Sequence, residues 1–432
     1  MLRNYIKIAF KVLLRRKFFT FISLFGISFT MTVLIVVVSF FDHVFGPGPL
    51  EVKHERMLYV FELWYKYAPG VGEAAFSYKL SHHAVDTYIR PLERVQGISI
   101  FEEHTDKYTH YNDKGDKVDS WLKHVDAAFW EILEFNFLEG DGFSERDVAE
   151  ANQVAVINEA TRRRLFGDQA AVGRTFTVDK KKLRVVGVVD NISMTRQFFF
   201  ADIWVPYSIT RSYREKPLTG GVQDLLGPFI ALILTKEKSA LAAIKADFRA
   251  SLSGLSFPDA HRAVVAVDGH AESSLDYISS MLFEDIVDDT EQEGARFPIL
   301  FMGVIIAFMV AFMVLPAVNL ININMSRIME RASEIGVRKS FGASSWMLVC
   351  QFVVENVLLT LLGGLIGFIA PWALLMFVNS IELIPHAHFQ LNMRIFAAGM
   401  MLALFFGVFS GVYPAWRMSR LHPVAALQRR NK

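Results

Sequence analysis

FFTFISLFGISFTMTVLIVVVSFF, Phe18 to Phe41, carries no charged side chain, and its reading decides the fold. A helix crossing a bilayer needs about 20 mostly apolar residues, because lipid offers backbone N–H and C=O groups no partner outside their own helix. The run is longer than the roughly 7–15 residues of a secretory h-region. It ends in Val38-Ser39-Phe40-Phe41, without the small residues of a cleavage site, and therefore reads as a retained anchor. Six basic residues precede it (Arg3, Lys7, Lys11, Arg15, Arg16, Lys17) and no acidic one. Such a leader holds its side of the membrane in the cytoplasm.

Three further apolar runs lie far along the chain. One spans Phe297 to Ile323, interrupted by Pro316 and the amides of Asn319 and Asn322; the others span Trp346 to Val378 and Ile395 to Trp416. With four spans, the basic leader, the loop carrying Arg327, Arg331, Arg338 and Lys339, and the tail with Arg417, Arg420, Arg429, Arg430 and Lys432 fall on one side. That side is cytoplasmic, with both termini on it. The predicted fold class is a membrane protein of four transmembrane α-helices with a large mixed α/β extracytoplasmic domain inserted between helices 1 and 2. The predicted segments are an interfacial amphipathic helix 1–17, a first span 18–41, the external domain 42–296, a second span 297–323 and a cytoplasmic loop 324–345. A third span 346–378, a short external loop 379–394, a fourth span 395–416 and a cytoplasmic tail 417–432 complete them. In the leader, Leu2, Ile6, Phe10 and Leu13 recur at spacings of 4, 4 and 3, as suits a helix lying on the inner leaflet.

Charge segregation limits the function classes. The formal net charge is +1, yet between Asp42 and Arg296 there are 29 Lys and Arg against 40 Asp and Glu. A nucleic-acid binder shows the reverse, a basic face on its folded domain. The lone cysteine, Cys350, rules out an intrachain disulfide.

Within the external domain, β-rich runs at Met57–Trp64, Gln153–Ile157, Leu183–Val189 and Phe229–Leu234 predict strands, with Asp179-Lys180-Lys181-Lys182 as a hairpin turn. Helical patterns fall at Ala160–Phe166 and Ala240–Leu252. Leu275, Ile278, Leu282 and Ile286 predict an amphipathic helix over 274–296. That helix either forms a stalk running into the second span or merely packs on the domain.

Chemistry-bearing motifs are scarce. Gly167 to Thr175 has one residue too many between its glycines, and Arg174 where a Walker A lysine belongs. No HExxH, GxSxG or paired-cysteine motif occurs. The sequence thus predicts no catalytic, cofactor-binding or metal-ligating residues; His82-His83 and His386-x-His388 read as exposed polar residues rather than ligands. Glu355, Asn319 and Asn322 are polar groups within apolar runs. A charge inside a membrane costs on the order of 2.5–3.5 kcal/mol and often marks function. Glu355, with Gln351 and Asn356, reads instead as a structural contact between helices. Gly363, Gly364, Gly367, Gly407 and Gly411 either bring helices close or are ordinary membrane glycines.

The segment after the second span is the most specific. RASEIGVRKSFGASSWMLVCQFVVEN, Arg331–Asn356, resembles the signature of FtsX-like ABC transporter permeases, and GVYPAWRMSRLHPVAAL, Gly411–Leu427, resembles their closing motif. VAVINEATRRRLFGDQAAVGRTFTV (Val154–Val178), RVVGVV (Arg184–Val189) and DAAFWEILEFNFLEG (Asp126–Gly140) resemble the extracytoplasmic domain of the MacB type. The resemblance implies a bacterial inner-membrane permease working as a dimer, with a second copy or a paralogue. It also implies a separate ABC ATPase subunit carrying ATP and Mg, and a membrane-fusion or other envelope protein as a further partner. Arg331, Glu334, Ile335, Gly336, Arg338, Lys339, Gly342 and Ala343 would form the ATPase-coupling segment, and Gly411, Pro414, Arg417 and Pro423 the tail motif. Independently, Glu334 four residues before Arg338 is a favourable helical ion pair, and Gly342 suits a C-cap. The implied function is ATP-driven movement of the external domain for export or extraction of peptides, drugs or lipoproteins. A non-transporting activator of an envelope hydrolase or sensor, and a lipoprotein-releasing permease, are the alternatives.

Overall fold

The structure is a computed structural model. It describes residues 2–15, 17–46, 48–68, 75–103, 105–111, 117–210, 213, 218–257, 264–283, 298–308, 310–312, 314, 318, 321, 344–382, 384–391 and 393–419. The chain divides into two compact units: His43–Pro298 with Ile384–Ala387, and Met1–Asp42, Ile299–Leu383 and His388–Lys432.

The first unit is mixed α/β. Its main sheet runs in the order β1 (Met57–Val60), β12 (Phe229–Thr235), β4 (Val95–Glu102), β6 (Lys117–Val125), β11 (Ile203–Pro206), β8 (Val154–Asn158), β10 (Lys181–Val189) and β7 (Phe137–Gly140). Two more strands lie off this path, β5 (Asp106–Tyr111) on β6 and β9 (Thr175–Val178) on β10. Pairing is antiparallel except for β10 with β8 and β11 with β6. A small second sheet orders β13 (Val264–Gly269), β2 (Leu63–Tyr67) and β3 (Ala75–Tyr78). Phe-Ile-Ala-Leu-Ile-Leu-Thr in β12 and Val-Ala-Val-Ile-Asn in β8 are buried at every position. Their unbroken apolar runs therefore belong to strands covered on both faces.

The strand predicted over Met57–Trp64 divides. Met57–Val60 pairs with β12 in the main sheet, whereas Leu63 onward pairs with β13 and β3. At the crossing, the Glu62 carboxylate accepts from Lys79 Nζ at 3.2 Å, and Phe61 turns inward against Tyr277. The hairpin is also tighter than predicted. Asp179 and Lys180 alone form the turn, with φ of 46° and 61°, while Lys181 and Lys182 pair with Val178 and Thr177. A right-twisted hairpin favours such a two-residue turn with both φ positive.

Helices α3 (His82–Tyr88), α4 (Ala128–Ile132), α5 (Glu145–Ala149), α6 (Glu159–Phe166), α7 (Leu241–Leu252) and α8 (Ser274–Phe283) complete the unit. Local chemistry sets their ends. Asn158 Oδ1 accepts from the Thr161 N–H at 2.8 Å and starts α6, and Gly167 ends it with φ 65°. Ser273 and Asp276 exchange hydrogen bonds at 3.1 Å at the start of α8. The predicted stalk continues through 284–296, which lies outside the described residues.

Two apolar clusters fill the unit. The larger joins β1, β4 and β12 to α3, α4 and α7, with Trp204 fully buried within it. The smaller is lined by β6, β8, β9, β10 and β11 and closed by Leu165 of α6. Buried polar groups are held in place. Asp126 accepts from Ser99 Oγ at 2.7 Å and from the Ile100 and Phe129 N–H groups at 2.9 and 3.1 Å. Burial still pushes its carboxyl up to about 7. Lys123 Nζ donates to the Glu102 and Glu103 carbonyls at 2.8 and 3.0 Å, and burial lowers it to about 7.

Glu272 predicts a pH dependence. Its backbone bridges Tyr59 with bonds of 2.7 and 2.8 Å, and burial, reinforced by Asp276, pushes its carboxyl up to about 7. In the unfolded chain a glutamate titrates near ~4.3. The folded state therefore holds this proton more tightly, and the contribution is lost as pH rises toward 7. Glu272→Gln is expected to gain stability relative to wild type between pH 5 and 7.5, read as a narrowing or reversal of the difference in thermal midpoint. A difference that stays constant with pH would refute the assignment.

Candidate functional site

The second unit contains the apolar helices. Helix α1 (Leu2–Arg15) buries Ala9 and Leu13 and leaves Ile6, Phe10 and Leu14 exposed. Among the described residues two helices are long and apolar enough to cross a membrane: α2 (Lys17–Phe45) and the Val349–Ser380 part of α10 (Ser345–Ser380). Shorter apolar stretches are α9 (Pro298–Phe312) and Phe396–Phe409 within α11 (Met393–Ser419).

Close packing joins α2, α10 and α11. A Cβ on Gly363 would lie 2.8 Å from Ile27 Cγ2, and one on Gly367 would lie 2.7 Å from Met31 Cβ. Gly364 stands in the same relation to Met400 of α11, as does Gly407 to Thr360. Three glycines of α10 thus face two different neighbours. Ile27, Met31, Leu34 and Ile35 of α2 form an apolar cluster with Ala403 of α11. The opposite face of α2 exposes Phe21, Phe25 and Phe29, one helical turn apart, with ring centroids at 6.1 and 5.7 Å.

Glu355 lies in α10 and is 4% exposed, and Gln351 Nε2 donates to it at 3.3 Å. One turn on, Thr360 Oγ1 donates to the Asn356 carbonyl at 3.0 Å. The pattern of hydroxyls in α2 had escaped sequence reasoning. Thr30 Oγ1 donates to the Gly26 carbonyl at 2.8 Å and Thr32 Oγ1 to that of Ser28 at 2.8 Å. Hydroxyls in an apolar run satisfy themselves this way without a partner helix.

The residues expected to couple to an ATPase, Arg331, Glu334, Ile335, Gly336, Arg338, Lys339, Gly342 and Ala343, lie outside the described residues, as do Asn319, Asn322 and Pro423. Gly411, Pro414 and Arg417 belong to α11. Ser344 Oγ accepts from the Met347 N–H at 3.2 Å and caps α10. Of the paired histidines, His82 contacts Asp86 at 2.9 Å and stacks on Tyr207, and burial lowers its pKa. Among the described residues no three His, Cys, Asp or Glu side chains converge as a metal site.

Known proteins resemble both parts of the chain. The model of the MacB-like periplasmic core domain matches residues 20–251, and that of the FtsX-like permease C-terminal matches 306–423. An uncharacterized ABC transporter permease, YknZ of Bacillus subtilis (strain 168), is 22% identical over 341 residues, covering 79% of this chain and 78% of its own. The macrolide export ATP-binding/permease protein MacB of Pasteurella multocida (strain Pm70) is 25% identical over 312 residues, 70% of this chain. The match spans only 42% of that protein. The periplasmic region of MacB from Actinobacillus actinomycetemcomitans aligns with a TM-score of 0.36 at 16% identity, over 56% of this chain and 99% of its own. With one model covering most of its first 251 residues and the other its last third, the chain belongs to the MacB-type, FtsX-like family of ABC transporter permeases.

Proposed function

We propose that this chain is the transmembrane subunit of a MacB-type transporter, converting ATP hydrolysis on a separate ATPase into movement of its external domain. The observation that carries the reading is the pairing of a MacB-like core domain with an FtsX-like permease segment in one chain. Within these 432 residues no Walker A sequence accompanies them. In this reading the chain crosses the bacterial inner membrane four times, with both termini cytoplasmic, and pairs with a second permease. The segregated basic residues support that orientation. The exposed aromatic face of α2 is compatible with contact to lipid or to another span.

In this reading Arg331–Ala343 is the handle that the ATPase grips, through the charges of Glu334, Arg338 and Lys339. The work done outside is export or extraction of a peptide, drug or lipoprotein, with a membrane-fusion or other envelope protein as a further partner. Reconstitution with the cognate ATPase in lipid tests this. Reversing both charges, Glu334→Lys with Arg338→Glu, is expected to cut stimulated ATP hydrolysis by about tenfold or more, as loss of a docking contact worth a few kcal/mol would. Stimulation at the wild-type rate would remove the docking role.

A further inference from the structure

Three segments join the domain's compact unit to neighbouring parts of the chain: the exit of α2, α8 as the last described helix before α9, and residues 384–387 between α10 and α11. Within the domain's own compact unit all three meet one short loop, residues 193–200, that follows β10.

The exit of α2 is held first. His43 Nε2 lies 3.3 Å from Ser193 Oγ, and the Arg196 guanidinium donates to the Gly46 carbonyl. Arg196 lies 3.8 Å from the Glu51 carboxylate, with both side chains largely buried. A Cβ on Gly48 would stand 3.1 Å from Arg196 Cζ and Nε, so the glycine leaves the room the guanidinium occupies. Glu51 in turn accepts from Tyr59 OH at 2.7 Å and from the Gly48 N–H at 3.2 Å.

The start of α8 is held next, through β1. Tyr59 exchanges backbone bonds with Glu272. Tyr277 of α8 stacks on Phe61, which packs against Phe198 at 5.1 Å. Phe199 packs against Tyr59. The third segment arrives at the same loop, where the Met194 N–H donates to the Pro385 carbonyl at 3.1 Å.

A buried arginine hydrogen-bonded to a carbonyl and ion-paired with a carboxylate is costly to leave unpaired and rigid when paired. We propose that Arg196 is a positioning residue, a clasp that makes the three segments move as one body. It lets displacement at the end of α2 reach α8. This rests on the ATP-driven reading, but its structural half does not, and the test separates them.

Hydrogen exchange on the full chain in lipid nanodiscs, without nucleotide, tests the clasp itself. In Arg196→Gln, amides of 44–52, 193–200 and 272–277 are expected to exchange about tenfold faster together, while β8 stays protected. Arg196→Lys, which keeps the charge but not the forked geometry, is expected to fall between. Acceleration confined to 193–200 would overturn the proposal, as would collapse of β8 protection, which would mark a merely structural residue.

Adding the ATPase with ATP and vanadate tests transmission. The wild type is expected to show nucleotide-dependent exchange changes in all three segments. Arg196→Gln should keep its stimulated hydrolysis and its change at 44–52 while losing the change at 272–277. A preserved change at 272–277 would sink the clasp's coupling role. Failure of the wild type to stimulate any ATPase would count against the ATP-driven reading alone, leaving the nucleotide-free comparison to decide the clasp.

Discussion

Gly367→Leu is expected to abolish the native packing of the apolar helices, whereas Gly303→Leu is expected to be tolerated. At position 367 even a methyl group would sit 2.7 Å from Met31 Cβ and 3.3 Å from the Ser28 carbonyl oxygen. Neither neighbour is the free end of a long side chain, so α2 and α10 would have to separate. A similar clash at Gly363, 2.9 Å from Ile27 Cβ, shows the close approach to extend over a full turn. Overpacking of this kind costs about 1–3 kcal/mol for an added methylene or two, and leucine adds more. Gly303 has nothing within 4 Å of its would-be Cβ and serves as the control for mutating a glycine in an apolar helix. Thermal unfolding of the two variants in detergent, followed by loss of monodisperse protein, makes the comparison. Equal midpoints would mean that α2 and α10 do not pack through this surface.

The second large effect is expected at Trp204, the largest fully buried side chain among the described residues. Its ring packs edge-on against Trp130 and Phe135, with centroids at 6.1 and 5.8 Å, and its Nε1–H donates to the Phe199 carbonyl at 3.2 Å. Trp204→Ala removes the indole's apolar burial, leaves a cavity among aromatic rings and orphans a carbonyl. Such truncations cost about 3–5 kcal/mol, a large share of the roughly 5–15 kcal/mol that holds a typical domain. Chemical denaturation monitored at the external domain should show a lower midpoint with an unchanged slope. Trp204→Phe, which keeps much of the volume, should recover part of the loss. A midpoint within about 0.5 kcal/mol of wild type, the range of an ordinary surface substitution, would contradict the observed burial.

Sequence legibility followed the physics of each element. β8 and β12 stood out because strands buried on both faces are written as unbroken apolar runs. Helices α6 and α7 were visible in their period, and Asn158 and Gly167 bracket α6 with its own stop signals. The break at Phe61-Glu62 could not be read. Apolar residues continue across it, and only the tertiary partners Lys79 and Tyr277 reveal that the chain changes sheets. β11 was missed as well, since Ile-Trp-Val-Pro is too short to show alternation and ends in a proline. The segment Arg331–Ala343 is marked in the sequence by its motif and charge spacing, and its role stays a proposal. The Arg196 clasp was not, because its partners at Gly46, Glu51 and Tyr59 lie more than a hundred residues earlier and carry no local pattern. The glycines of α10 were visible as a stripe, but their division between α2 and α11 depends on helix rotation, which spacing alone does not fix.

The place of β12 bears on how the domain comes to exist. Phe229–Thr235 is the wedge between β1 and β4, both made far earlier in the chain. Until that heptapeptide arrives, the edges of β1 and β4 remain open, each lined with aliphatic groups that invite stray strand pairing. Because long-range pairing is slow to form, the nascent domain passes through a vulnerable interval that ends only when its last third has been delivered. Holding factors, or rapid completion of synthesis, should therefore govern yield more strongly than the stability of the finished fold.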